Sequence, residues 1–472
     1  MLFSSFTFLG FFAVVVAAYY ALPHRFRWVL LLIASAYFYS TYKLSYLVLL
    51  GYAALVAWGG GLWVARARER SRAPLVLAVL AELGVLVLFK YVDFLAGAAE
   101  SLIPGMTLPR LDWLLPAGLS FYVFSAISYL IDVQRGTIGV ERHAGRLALY
   151  VAFFPKLLAG PIERAGSFLA QLDREVVWNP AAVAAGLQLM LWGLFKKVVI
   201  ADRLASFVAT GFGHPEFQSP VAVLVAVYFY AFQIYCDFSG YSDIAIGAAL
   251  VLGFRLMENF RRPYLARSVP EFWNSRWHLS LMRWFRDYLY IPLGGNRVPA
   301  WRRYLNVMIV FGTSGLWHGA AWTFLLWGAL NGLYQAIYMA LAAPRRWLGE
   351  TLPTALMAGL SILLTFHLVG FAWIFFRASD IDQGWSVVTR IAGAIPQLPT
   401  QILRYGWTGE HFLSLGLILL LIGIEALEER RPISERLANA PVALRWAFFY
   451  AVAAALLVIG VWGNTGFVYM SF

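Results

Sequence analysis

The chain is 472 residues long, 61% hydrophobic and only 13% charged, where a soluble globular domain has about 45–50% apolar and about 25% charged residues. With a mean hydropathy of +0.68, this excludes a disordered chain, a coiled coil and an ordinary soluble enzyme, because soluble chains of this length split into domains that keep polar surfaces. The excess of 37 basic over 25 acidic residues gives a net charge of +12. The basic residues sit in short blocks between apolar runs, the pattern of cytoplasmic loops in a polytopic membrane protein and not of a nucleic-acid binder.

The N-terminus is apolar from Leu2 to Leu22 and has neither a basic leader nor a clear cleavage site, so it reads as a first transmembrane helix and not as a signal peptide. Crossing helices need about 20 mainly apolar residues. Further candidates lie near 28–42, 45–65, 74–96, 114–132, 181–200, 218–236, 304–317, 319–342, 355–376, 411–427 and 446–463. The expected class is therefore an all-α polytopic bundle of about 11–13 transmembrane helices with re-entrant and interfacial pieces. It reads as one membrane domain: N-terminal helices over 1–132, a core over 133–342 and C-terminal helices over 343–472.

Loop charge sets the orientation. Arg25 and Arg27, the four arginines of 66–72, Arg135, Arg142 and Arg146, Arg345 and Arg346, and Arg430 and Arg431 share one side if the N-terminus is outside. The loop 255–303 joins them, with ten arginines against Glu258, Glu271 and Asp287, +7 of the total. Loops 97–113 and 377–410 then face out, and the second, with Trp385, Pro396, Pro399 and Trp407, is the expected docking surface for partners. The short run 148–161 contains Pro155, Gly160 and Pro161 and is expected to dip into the membrane and return. Lys196 and Lys197 fall near the outer face or are buried. Irregular backbone at membrane depth persists only when packed in protein or lining a wet cavity.

The lone cysteine, Cys236, cannot form an intramolecular disulfide, and no Cys/His spacing suggests zinc. Of the seven histidines, His24, His143, His214 and His411 read as solvated loop residues, and His367 as a packed, hydrogen-bonded residue of an apolar helix. His318 differs. It sits in Gly315-Leu316-Trp317-His318-Gly319 with apolar sequence on both sides, where an ionisable group needs a partner or a cavity. Imidazole can take a proton from a hydroxyl and return it; a structural helix contact is the equal alternative. His278 lies in a segment where Trp273, Trp277, Leu281, Trp284 and Tyr288 recur at helical spacing among Arg276, Arg283 and Arg286. That is the pattern of an amphipathic interfacial helix, either an anchor or one wall of a site for an anionic acyl carrier. Pro292-Leu293-Gly294-Gly295-Asn296-Arg297 ends it as a turn. Asp237 and Asp243 are polar residues after an apolar run, read as caps of a following helix in preference to catalytic carboxylates.

Trp192-Gly193-Leu194-Phe195-Lys196-Lys197, residues 235–243, Arg286–Arg297 and 315–319 together resemble the membrane-bound O-acyltransferase superfamily, and within it the bacterial alginate O-acetyltransferase branch. Phe154–Ile162 and Phe467-Val468-Tyr469 fit as well, so the resemblance runs through the whole chain. It implies a helical bundle with re-entrant segments and a cavity through the membrane. The intramembrane histidine, here His318, would be catalytic, with His278 as the second family histidine. Trp317, Trp277, Arg286 and Asn296 would contact substrate or donor. Two departures are visible. Asn274-Ser275 interrupts a block that usually reads Phe-Trp-Arg-Arg-Trp-His, and Asn331 stands where many relatives carry a further histidine, so that position is expected to be non-essential.

The implied activity is transfer of an acetyl group from a cytoplasmic thioester, acetyl-CoA, with no permanently bound cofactor and no metal. The acceptor would lie across the bacterial inner membrane: a periplasmic partner of the SGNH-hydrolase type that serves polysaccharide O-acetylation. His318 would be the base, by direct transfer or through an acyl-histidine. The competing readings are a flippase for an envelope glycolipid or polysaccharide, a non-catalytic assembly subunit and, within the enzyme class, peptidoglycan or cellulose O-acetylation or D-alanyl transfer.

Overall fold

The computed structural model describes residues 1–103, 105–429, 440–463 and 466–468, and among these every regular element is helical. Arg430, Arg431 and Tyr469, named above, lie outside the described residues. The N-terminal group comprises α1 (Phe6–Ala21), α2 (His24–Ser40), α3 (Tyr46–Ala67), α4 (Ala73–Lys90) and α5 (Val92–Leu102). Ser5 caps α1 by accepting the Phe8 N–H, and Pro23, which lacks a donor, stands at the break before α2. α6 (Leu119–Arg135) follows; it is buried along nearly its whole first three turns.

The 148–161 run does not cross. α7 (Ala144–Ala152) breaks at Phe153, a single turn α8 (Phe154–Leu157) follows, and α9 (Ala165–Leu172) leads out. Residues 149–162 are all buried. Arg146 at the entry pairs with Asp173 at the exit, 2.7 Å apart, so the segment enters and leaves on one side.

α10 (Pro180–Leu194) runs through a π-helical turn (Phe195–Ala201) into α11 (Asp202–Gly213), and α12 (Pro220–Val251) packs against all three. α10 with α11 makes an apolar span of 34 residues and α12 one of 32. Their contact rests on glycines at matching positions: a Cβ on Gly186 would lie 2.7 Å from the Gly247 carbonyl oxygen, and one on Gly193 2.5 Å from that of Gly240. Small residues let two helix backbones approach where lipid supplies no hydrophobic drive.

The stretch after α12 differs from the expected continuous interfacial helix. It is cut into α13 (Val269–Glu271), a π-helical turn (Phe272–Arg276), α14 (Leu279–Phe285) and a second π-helical turn (Arg286–Tyr290). Trp273, Trp277, Leu281 and Trp284 are buried in the protein core and not laid on a membrane surface. The remaining helices are α15 (Ala300–His318), α16 (Trp322–Ala340), α17 (Ala342–Thr351), α18 (Thr354–Arg377), α19 (Ile381–Ala392), α20 (Leu398–Arg404), α21 (Gly409–Glu428) and α22 (Val442–Val458).

Each of the twelve apolar segments read from sequence falls on helix. Six of the described helical stretches are long and apolar enough to cross a membrane, or seven if α16 and α17, bent by 64°, form one broken span. Part of the difference from the expected 11–13 comes from α1 and α22, which are apolar but only 16 and 17 residues long. The spans are also not equivalent. Two thirds of the apolar window of α12 is buried inside the protein against 17% for α18, so α12 is a central post and α18 a peripheral one.

Candidate active site

His318 is the last residue of α15 and is buried. The end of a helix leaves carbonyl groups without partners. Here Lys90, at the end of α4, donates to the Trp317 and His318 carbonyls at 2.6 and 3.0 Å, and the Tyr91 hydroxyl donates to that of Leu316 at 2.7 Å. These contacts fix the histidine's backbone from outside its own helix. Gly315 lets α16 close against α15, because a Cβ there would collide with the Phe324 carbonyl oxygen. The imidazole is walled by Trp317, Trp327 and Phe376, with ring centroids 4.9, 5.0 and 5.3 Å away.

His278 reaches the same chamber from the cut segment. Its φ of 46° is left-handed, one of three such non-glycine residues among those described. A strained backbone of this kind persists only when its surroundings over-determine it. Asn259 supplies that determination: its carbonyl accepts the Leu279 N–H at 2.9 Å, its side-chain oxygen accepts the Ser280 hydroxyl at 2.9 Å, and its amide donates to Ser242 on α12 at 3.1 Å. The His278 ring lies 4.7 Å from Phe238, 5.9 Å from Trp317 and 6.1 Å from Phe121. Trp317 therefore contacts both histidines. A cavity of about 30 Å³, room for one water molecule, is lined by Lys90, residues 115–121, Leu158, Trp317 and His318. The 148–161 run thus contributes Leu158 to the wall.

The other sequence candidates separate. Trp277 is fully buried, but it stacks on Phe272 at 5.3 Å and packs at a tilt against Trp373 at 5.0 Å in the aromatic core behind the chamber. Arg286 is 60% exposed and pairs with its neighbour Asp287 at 2.8 Å. Asn296 is exposed and accepts the Tyr290 hydroxyl at 2.7 Å. No described contact joins these last two to either histidine. Asn331 is buried; it accepts the Trp273 indole N–H at 3.0 Å, which fixes that ring, and donates to the Trp327 backbone carbonyl one turn back at 2.9 Å.

The capping role expected of Asp237 and Asp243 gives way. Both lie inside α12, where no helix starts. They face the π-helical turn, whose extra residue per turn presents two adjacent lysines to one neighbour. Lys197 is 2.6 Å from Asp237 and 2.7 Å from Asp202, and Lys196 is 2.6 Å from Asp243. His411 also departs from its expected solvated state: it is buried and bonds Thr408 at the start of α21. His367 is hydrogen-bonded to Tyr228 at 3.0 Å as expected, but is exposed on the outer face of α18. Lys90 and Tyr91 were not singled out in the sequence, although a lysine within the apolar stretch 74–96 is itself a signal.

A family model of the membrane-bound O-acyltransferase family matches residues 143–374. A probable alginate O-acetylase of Pseudomonas aeruginosa is 37% identical over 439 residues, covering 91% of this chain and 82% of that one. The chain belongs to the membrane-bound O-acyltransferase family. It is thus a multi-pass membrane enzyme that transfers acyl groups, which sets aside the flippase and assembly readings. A peptidoglycan O-acetyltransferase of Helicobacter pylori is 34% identical over 82% of this chain and 77% of its own. A teichoic acid D-alanyltransferase of Bacillus subtilis is 25% identical over 56% of this chain and 69% of its own. The acyltransferase match covers α7 to most of α18, and so holds both histidines, Asn259 and the glycine contact of α15 with α16.

Proposed function

We propose that this enzyme moves an acetyl group from acetyl-CoA on the basic side of the membrane to a hydroxyl on the opposite side, for O-acetylation of an alginate-type polysaccharide, with His318 as general base. The observation that carries the reading is that His318 and His278, from separate segments, converge on Trp317 in one buried aromatic chamber. His318 takes the acceptor hydroxyl proton as the oxygen attacks the thioester carbonyl. His278 donates a hydrogen bond to the oxygen that becomes negative. The carbon–sulfur bond then breaks, and the thiolate takes the proton back from His318, so ester and thiol leave with no net proton.

Orientation supports the two directions of entry. His278 lies within the arginine-rich stretch 255–303, whereas His318 lies at the end of α15 farther from that stretch, beside residues 115–121. A 19-residue helix is about 28 Å long, nearly the thickness of the hydrocarbon layer. At about 30 Å³ the cavity is smaller than an acetyl donor or a sugar, so a wall ring such as Phe121 or Trp317 must turn for reaction. We place the enzyme in the bacterial inner membrane, with a periplasmic SGNH-type protein as acceptor or relay, docking on the α19–α20 face. Identity of 37% to the Pseudomonas relative against 25% to the D-alanyltransferase supports a polysaccharide over teichoic acid.

The test is transfer of label from radiolabelled acetyl-CoA by purified protein in liposomes with the candidate partner. Wild type should release labelled product and free thiol, while His318→Ala, present at equal level, should lose about 10²–10⁴-fold in rate, the range for a positioned acid–base group. Equal turnover by the two proteins overturns the role of His318.

A further inference from the structure

A second cavity, of about 280 Å³, lies away from the chamber, on the face that carries the basic loops. Four parts of the chain build it: the α1–α2 turn, the start of α7, the exit from α9 and Phe254 after α12. Arg25, Arg27, Arg146 and Arg174 line it, against one carboxylate, Asp173. That carboxylate is already held by Arg146, which also pairs with Glu141. Arg27 is tied to backbone instead, donating to the Leu22 and Val176 carbonyls at 2.9 and 2.6 Å, and its guanidinium lies 4.9 Å over the Tyr19 ring. Among the described residues neither Arg25, Arg27 nor Arg174 has a carboxylate partner. His24 also lines the cavity, and its Nδ1 is shielded from solvent without a hydrogen-bond partner.

Cations gathered around an open volume without counter-charge repel one another unless an anion joins them. Guanidinium forks match phosphate oxygens in geometry as well as charge. The chemistry that fits is a phosphate ester, which a phospholipid headgroup and a soluble nucleotide share. Placement favours the lipid. The cavity opens at the end of two helices whose outer surfaces are bare hydrocarbon, with Val14 70%, Phe26 46% and Ile33 62% exposed. A headgroup seated there could lay its acyl chains along them, and anionic lipids concentrate on the face that attracts basic loops.

We propose that this cavity binds the headgroup phosphate of an anionic phospholipid. The experiment uses the full chain reconstituted in phosphatidylcholine vesicles and in an equal mixture with phosphatidylglycerol. Phospholipid retained by the purified protein is then read by native mass spectrometry. Wild type should retain phosphatidylglycerol in preference to phosphatidylcholine. Arg25→Gln with Arg174→Gln, both at exposed positions, should weaken that retention about 30-fold, and the paired lysine variant should keep most of it. Equal retention by wild type and the glutamine variant overturns the proposal. So does saturable binding of inorganic phosphate in phosphatidylcholine vesicles without any preference for phosphatidylglycerol, which would assign the cavity to a soluble anion.

Discussion

Two buried regions of this enzyme hold ionisable side chains, and they are built in opposite ways. In the chamber, His318 and His278 sit among Trp317, Trp327, Phe238 and Phe376, held through backbone and ring contacts. In the cluster between the π-helical turn and α12, Lys196 and Lys197 face Asp202, Asp237 and Asp243 at 2.6–2.7 Å. A buried charge is tolerated only when paired and hydrogen-bonded, and the cluster meets that demand. Neutral imidazole needs no counter-charge, so the chamber can hold both rings among aromatic side chains, with His318 at the edge of a cavity. Burial alone does not mark a site: the cluster joins opposite charges in direct contact, whereas the chamber sets two imidazoles among aromatic rings, with a cavity beside His318. Chamber residues should therefore govern rate, and cluster residues stability.

The largest separation is expected from His318→Ala, which should lower turnover by about 10²–10⁴-fold while the thermal midpoint of the solubilised protein stays close to wild type. The reverse should hold for the cluster. Asp237→Ala removes one of the carboxylates paired with Lys197 and the acceptor of the Val468 N–H, 2.7 Å away; losing one partner of a buried pair costs about 3–5 kcal/mol, visible as a lower melting midpoint or as loss of folded protein. Removing both members of the Lys196–Asp243 pair, as Lys196→Met with Asp243→Leu, should cost less than Asp243→Leu alone, because no charge is left stranded. If the cluster variants stay folded and lose turnover instead, the two regions are not separate in role and the comparison fails.

A finer test lies in α15. Gly315→Ala places a methyl against the Phe324 carbonyl, whereas nothing lies within 4 Å of a Cβ on Gly312 in the same helix. Gly315→Ala should destabilise by about 1–3 kcal/mol and displace His318, three residues on. Gly312→Ala should be neutral or stabilising by up to about 1 kcal/mol, the helical preference of alanine over glycine. Melting curves with turnover measured on the same samples separate these effects. Equal behaviour of the two variants would mean that the α15–α16 contact does not position the histidine.

What the sequence disclosed follows from how far each interaction reaches along the chain. Helix positions were legible because apolarity and length are local properties. His318 was legible because glycines and tryptophans surround it within five residues. The caps assigned to Asp237 and Asp243 failed because their counter-charges, Lys196 and Lys197, lie about forty residues upstream and meet them only through the Gly186/Gly247 and Gly193/Gly240 contacts. The helical spacing from Trp273 to Tyr288 concealed the break at His278, since a periodic pattern survives a left-handed residue whose neighbours stay in phase. Lys90 went unremarked because its role, closing the end of α15, belongs to a partner more than two hundred residues away.

The smallest effect is expected at Arg286, and it bears on where the donor enters. Arginine in that block suggests a contact with the anionic carrier, yet Arg286 is 60% exposed and bonded to Asp287. The other Asp287 oxygen accepts from Arg164 at 2.9 Å, and Arg164 and Arg135 both lie over the Tyr288 ring, whose hydroxyl donates to Asp132 on α6 at 2.8 Å. Asp287 and Tyr288 thus dock this turn on α6, while Arg286 adds an exposed pair of the kind worth about 0.2–1 kcal/mol. Arg286→Gln should accordingly change KM for acetyl-CoA by less than about twofold, with kcat and the melting midpoint unaltered. A rise in KM of about tenfold at unchanged kcat would instead identify uniform binding of the donor by this arginine, and would move the entrance from the buried wall around His278 to the surface turn over 286–290.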